Sequence, residues 1–410
     1  MMPTYTALFG ATHFTAGHLA DGRRLRRVLA GAVFPLLAWQ ASAQTAAPKE
    51  LPSENGAIVV SELLTGLDHP WAIAFLPDGS GALITERPGR LRLWTIDSKL
   101  SEPISGVPDV YAESQGGLLD VALPPDFTQS RRVYLSYAEE GADGKAGTAV
   151  GYGVLSADSR KLEDFTVIFQ QTPKLSTGAH FGSRLVFDVR GDLFIALGEN
   201  NQRSTSQDLD KLQGKVVRLH ADGRIPNNNP FVGKPSARPE IWSYGHRNQQ
   251  GAALNPWTGQ LWTHEHGPRG GDEINIPQAG KNYGWPLATH GINYSGFAIP
   301  EAKGANVDGT EQPIYYWKAS PAISGMAFYN AKQFPSWRQS LFIGSLKDRV
   351  LIRLELDGAK VVHEERLLGS MDERIRDVRV GPDGYVYVLT DASRGRLLKI
   401  GLTAIDSRLK

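Results

Sequence analysis

The chain has 410 residues with 44 Lys+Arg against 43 Asp+Glu, a balance that excludes the broad cationic surface by which proteins hold nucleic acid or an anionic membrane. Cysteine is absent, which excludes disulfides, iron–sulfur clusters, thiolate zinc sites and covalently attached haem, so any electrons handled here pass to a separate carrier. The 44 glycines and 25 prolines, with a hydrophobic content of 41%, predict many turns around one large core.

Near the N-terminal end, Arg23, Arg24, Arg26 and Arg27 precede an apolar run over 28–39 and the small-residue site Ala41-Ser42-Ala43. That run is about a dozen residues, short of the roughly 20 that span a bilayer. Residues 1–43 therefore read as a cleaved secretory signal and 44–55 as a linker, and the mature protein as periplasmic or secreted without a membrane span.

From there one pattern recurs: a short apolar strand, a turn rich in Pro, Asp, Gly or Asn, and a second strand. The clearest copies are 73–86 and 378–391, and weaker ones run over 121–137, 185–199, 253–265 and 326–345. Copies starting about 50 to 70 residues apart have the size of a propeller blade, and no helical period alternates with the strands as a parallel α/β sheet requires. The expected fold is all-β, a six-bladed β-propeller over 56–403 with a tail at 404–410. A two-sheet sandwich is the alternative, and radial closure explains six copies better.

Innermost propeller strands run side by side along the axis, so the loops leading into them open on one face, and the active site is expected on that axial top face. Those loops carry Gln115-Gly116-Gly117, His180-Phe181-Gly182, His246-Arg247-Asn248, Ser320 and Arg374-Ile375-Arg376, and Lys347 follows a later strand. Arg247, Lys347, Arg374 and Arg376 around one axis repel each other unless a polyanion sits among them. Arg374 and Arg376, two apart, face one way if extended and suit a planar carboxylate or ortho-quinone edge; taken alone the pair also reads as a solvated face.

His180, between Gly178 and Gly182, offers an imidazole base where backbone can approach a ligand, although a lone histidine is more often structural. His264 and His266 alternate faces if extended and make poor joint zinc ligands. The stretch 264–273 suits calcium better, through carbonyls of a Gly/Pro turn and a carboxylate such as Glu273, in a pattern that an ordinary surface turn also produces. Trp71, Trp242, Trp285 and Trp317 read either as stacking platforms or as blade packing.

Several longer motifs occur in order: Asp68 to Trp71, Gln115 to Asp120, His180 to Leu185, Gln207 to Lys215, Gly245 to Gly251, Glu265 to Pro268, Asn282 to Pro286, Ser345 to Asp348 and Arg374 to Asp377. Together they resemble the soluble aldose sugar dehydrogenases that depend on pyrroloquinoline quinone (PQQ), the glucose/sorbosone dehydrogenase family, over about 67–399. The resemblance implies PQQ and Ca2+ as cofactors, oxidation of an aldose at C1 to the lactone with hydride passing to PQQ, and an external electron acceptor. It implies His180 as general base and Arg247 as the stabiliser of charge on the quinone oxygen. Gln115, Arg247, Asn248, Ser320, Lys347, Arg374 and Arg376 are then the PQQ contacts. Carbonyls of Gly267 and Pro268 look like ligands of a calcium that bridges to PQQ, and Glu273 and Tyr283 match a second, structural calcium position.

Glu199 stands where the glucose-specific branch has an aspartate, and 317–326 carries Pro321 and Ile323 where the related pattern places proline at the later position. Competing readings are a calcium-dependent propeller lactonase, which wants converging Glu, Asp and Asn ligands, and a noncatalytic sugar-binding propeller. A nicotinamide enzyme is disfavoured, because no Gly-rich strand-to-helix fingerprint appears.

Overall fold

The computed structural model describes residues 47–97 and 99–403, so the secretory-signal reading of 1–43 and the tail at 404–410 lie outside the described residues. Six antiparallel sheets stand around an axis. Their innermost strands are Pro70–Phe75, Leu118–Ala122, Gly182–Phe187, Gln249–Leu254, Ile323–Tyr329 and Ile375–Val380. Each touches the next, and Ile375–Val380 touches Pro70–Phe75, which completes a six-bladed β-propeller. The recurrent sequence unit is the hairpin of innermost and second strand in each blade, such as Pro70–Phe75 with Gly81–Glu86.

Five blades use consecutive strands, and the sixth borrows from the other end of the chain. Ile58–Leu67 pairs with Gly395–Leu402, from Ile58 opposite Leu402 to Leu67 opposite Gly395. Lys49–Leu51 adds an outer strand with Leu51 buried, so the linker expected over 44–55 is shortened by a piece of sheet that covers its own apolar residue. Closing the ring with an N-terminal strand removes an open edge that would otherwise invite pairing with another chain.

The core lies between blades. Trp262, Phe328 and Ile343 fill one seam, and Tyr329, Trp337 and Phe342 another. Among the described residues no helix is long and apolar enough to cross a membrane.

Candidate active site

Every innermost strand slips register against its partner near its first residue: between Pro70 and Ala72, Leu118 and Val121, Gly182 and Arg184, Gln249 and Gly251, Ile323 and Met326, and Ile375 and Asp377. A bulge leaves residues unpaired and re-aims their side chains. Trp71, Leu119, Gln250 and Arg376 sit in these bulges, and all four line a cavity of about 260 Å³. Of the residues expected from sequence, Gln115, Asn248, Arg374 and Arg376 line it directly. His180, Arg247, Ser320 and Lys347 do not, but their neighbours Phe181, Asn248, Ala322 and Leu346 do.

His180 adopts φ of +55°, a left-handed conformation unusual for a residue with a Cβ. Three bonds hold it there: its N–H donates to Gln115 Oε1 at 2.9 Å, and its carbonyl accepts from the backbone and side-chain amides of Asn200 at 3.1 and 3.2 Å. Its Nδ1 lies 2.8 Å from Oε2 of the fully buried Glu199. A carboxylate accepts, so Nδ1 carries the proton and Nε2 keeps a free lone pair.

Arg247 is buried, and its Nη1 donates to the carbonyls of His266 at 2.9 Å and Gly267 at 2.8 Å. Its guanidinium lies 5.3 Å from the Trp285 ring. The turn that follows is compressed: a Cβ on Gly267 would fall 2.2 Å from the Gly270 carbonyl oxygen, so only glycine fits. The Gly267 carbonyl keeps a second lone pair beside the Arg247 bond. Further out, Glu265 and Glu273 face each other across paired strands, and the Asn275 amide donates to both, at 3.2 and 3.1 Å. Burial, and then the neighbouring Glu265 charge, push the Glu273 carboxyl well above its ordinary value. The Tyr283 hydroxyl donates to the Ile276 carbonyl at 2.6 Å and accepts from the Gln278 N–H, which leaves its backbone carbonyl as the freer oxygen.

The four cations have different partners. Arg247 uses its Nη1 on the two carbonyls, and Lys347, 63% exposed, donates to the Ser320 carbonyl at 2.8 Å. Arg374 and Arg376 converge, and the chain supplies an anion between them: Asp391 Oδ2 accepts from both, at 3.0 and 2.9 Å. One carboxylate against two guanidinium groups leaves a cationic surplus facing the cavity. Burial raises the Asp391 carboxyl, but Arg376, His69 and Arg374 overcome it and hold the group well below the usual carboxylate range.

His266 also lines the cavity. Its Nε2 is bonded to the Ile323 carbonyl, and burial pushes the imidazole down to about 4, so it is neutral and Nδ1 is an acceptor. His264, two residues earlier, is buried with both ring nitrogens unpartnered. Among the described residues no three His, Asp or Glu side chains gather as a metal cage. Of the four tryptophans, Trp71 lines the cavity, Trp317 is core with its N–H on Glu364, and Trp242 and Trp285 lie beneath Arg218 and Arg247.

A wider hollow of about 660 Å³ opens at the other end of the inner strands, walled by Phe75, Leu123, Phe187, Leu254, Phe328 and Val380. The axis between the two is closed by ions: Arg184 reaches Asp120 at 3.3 Å and Asp377 at 3.0 Å, and Arg379 reaches the same pair at 3.3 and 3.5 Å. The polar chemistry is concentrated at the smaller cavity.

Of the lining residues, Asp391 and Gln250 carry no site role in the sequence reading, and His266 enters it only as a poor zinc ligand. For Asp391 a signal existed. Glu86, Glu199, Glu265 and Asp391 each end a copy of the repeat, and each receives the loop that enters an innermost strand: Asp68 N–H, His180, His246 and His69 respectively.

A family profile described as Glucose / Sorbosone dehydrogenase matches residues 67–399. The aldose sugar dehydrogenase YliI of Escherichia coli is 67% identical over 341 residues, covering 83% of this chain and 92% of that protein. The crystal structure of the soluble aldose sugar dehydrogenase from Escherichia coli in its apo-form superposes with a TM-score of 0.83 at 66% identity, over 84% of this chain and all of that one. The PQQ-bound aldose sugar dehydrogenase of Streptomyces coelicolor superposes with a TM-score of 0.70 at 26% identity, covering 86% of this chain and 100% of that one.

Proposed function

The chain belongs to the glucose/sorbosone dehydrogenase family, and from that premise we propose that it is a PQQ- and calcium-dependent aldose sugar dehydrogenase, oxidising C1 of an aldose to the lactone. The observation that carries the reading is the pairing of His180 with the buried Glu199 beside a cavity that Arg374 and Arg376 also line.

The residues fit the cofactor. Trp71, Leu119 and Leu346 offer apolar walls to a planar ring, and Gln115, Asn248 and the surplus charge of Arg374 and Arg376 suit its carboxylates and quinone oxygens. Lys347, bonded to the Ser320 carbonyl, and Arg247, bonded to the Gly267 carbonyl, follow or precede lining residues in the chain and would complete the contacts. The Gly267 and Pro268 carbonyls would take one calcium. Glu273 with the Tyr283 carbonyl would take a second, where two facing carboxylates call for a cation. Bound there, PQQ would supply the two-electron acceptor that takes hydride from sugar C1 and hands electrons to an external acceptor.

The chain's own part is proton handling and orientation. Glu199 fixes the ring of His180 so that Nε2 takes the proton of the anomeric hydroxyl. Arg247 contributes positive charge where it offsets charge developing on an oxygen nearby. Export as a periplasmic or secreted protein, read from the basic and apolar run over 23–43, belongs to the same reading.

The test uses purified protein without cofactor, supplied with PQQ and calcium, and follows dye reduction on a panel of aldoses with His180→Ala alongside. Sugar-dependent reduction needing both cofactors and lost in the variant is expected. A folded, calcium-loaded protein that does not bind PQQ would sink the reading.

A further inference from the structure

The segment Asp68 to Trp71 stands out in the sequence, yet the proposed chemistry uses none of its first three residues. It joins Ile58–Leu67, the strand that closes the ring, to Pro70–Phe75, the first innermost strand. His69 adopts φ of +46° there, a conformation that costs a side-chain-bearing residue. The N–H of His69 donates to the Ala392 carbonyl at 2.8 Å, and the His69 carbonyl accepts from Arg87 N–H at 3.1 Å. Pro70 packs so closely on Gly395 that a Cβ there would fall 2.5 Å from the proline ring. The closing segment is thus welded to 390–395 from the opposite end of the chain.

What the weld presents is the His69 ring, whose Nδ1 lies 3.0 Å from Asp391 Oδ1. With Oδ1 taken, Oδ2 faces Arg374 and Arg376 together. Each arginine has one further anchor, Arg374 on the Leu346 carbonyl at 3.0 Å and Arg376 on Gln250 Oε1 at 3.3 Å. Asp391 is the charged one of their partners, and two guanidinium groups this close diverge without a carboxylate between them.

We infer that His69 and Asp391 are positioning residues of the cavity's anion site: ring closure delivers His69 to Asp391, and Asp391 holds Arg374 and Arg376 side by side toward a polycarboxylate ligand. The identity of that ligand as PQQ rests on the proposed function; the clamp itself does not. The arginines are then in place only when the N-terminal strand has closed the ring, which ties integrity of the fold to readiness of the site.

The experiment compares wild-type protein with Asp391→Asn and His69→Asn, all prepared without cofactor. Asparagine tolerates the left-handed backbone at position 69 and so spares the turn. PQQ titrated in calcium buffer, read by quenching of tryptophan fluorescence well below the melting temperature, should bind Asp391→Asn about 10- to 100-fold and His69→Asn about fivefold more weakly. Crystal structures of the cofactor-free variants should have the two guanidinium groups turned apart. Unmoved arginines in both variants overturn the clamp and reduce the pair to a staple of the ring. Wild-type protein that fails to bind PQQ overturns the proposed function instead, and the arginine positions still decide the clamp.

Discussion

The Nδ1 of His180 lies 2.8 Å from Oε2 of Glu199, a carboxylate sealed from solvent at the end of the second strand of the same blade. Glu199 is in turn tied to the next blade, because its N–H donates to the Arg247 carbonyl at 2.9 Å. The imidazole is therefore oriented by a group that two blades hold.

Glu199→Gln should leave the fold intact and remove the tautomer lock, since the amide can donate to Nδ1 and force the proton onto Nε2. In the cofactor-loaded enzyme kcat should fall about 100-fold or more, with KM within about twofold, by analogy with other histidines that lose their orienting carboxylate. Steady-state dye-linked assays decide it. An undiminished kcat would mean that Glu199 does not govern the ring.

Arg184 plugs the axis beneath the cavity, its guanidinium 4.1 Å from the Trp71 ring and in reach of both Asp120 and Asp377. Arg184→Met would leave two buried carboxylates facing each other with Arg379 as their remaining cation. Loss of one partner from such a cluster costs about 3 to 5 kcal/mol, so the urea midpoint should drop clearly. Arg184→Lys should restore little of it, because an ammonium lacks the fork that reaches both acids and the Gln250 carbonyl.

How much of this was legible in the sequence follows from where the partners lie. The blades were readable because their first two strands are neighbours joined by turns such as Pro77-Asp78-Gly79 and Pro382-Asp383-Gly384. The ring closure was not, since Ile58–Leu67 meets a strand more than 300 residues away, a separation illustrated by the His69–Asp391 contact at 322. Arg374 and Arg376 were visible as a pair, and Asp391 as the acid that ends the last copy of the repeat, but their contact with each other and with His69 was not, because no local spacing links position 391 to position 69. Bulges escaped for a similar reason: a register slip is a property of two strands, and only the paired structure explains why Gln250 and Arg376 turn inward.

Lys215 is fully buried and donates to the carbonyls of Thr205, Ser206 and Gln213 at 3.0, 3.0 and 2.6 Å, pinning the loop that follows Glu199. Burial pulls the ammonium down to about 7, with Asp208 and Asp210 holding it up. Its folded value lies below its unfolded one, so the penalty of a buried charge is full below pH 7 and is relieved as pH rises toward 10. Lys215→Met should strand the Gln213 carbonyl, while those of Thr205 and Ser206 keep the N–H groups of Asp208 and Gly245, and cost about 1 to 3 kcal/mol. It should also flatten the rise in stability between pH 7 and 10 relative to wild type, measured by urea unfolding at each pH. Parallel curves would refute the assignment.

Glu265 and Glu273 share one amide donor, Asn275, and burial together with Glu265 holds the Glu273 carboxyl above its ordinary value. A carboxyl raised on folding destabilises the protein as pH climbs past its unfolded value, because the folded state must then give up a proton it favours. A cation between the two carboxylates reverses that. Calcium should therefore raise the melting temperature, and by more at pH 8 than at pH 5. Glu273→Gln keeps the volume and the acceptor for Asn275 while removing one charge, so without calcium it should gain about 1 kcal/mol, a rise of about 2 °C. The same variant should respond less to calcium than wild type does, as read by scanning calorimetry with and without a chelator. An equal calcium shift in both would move the ion away from Glu273 and leave the carbonyls of Gly267 and Pro268 as its remaining candidates.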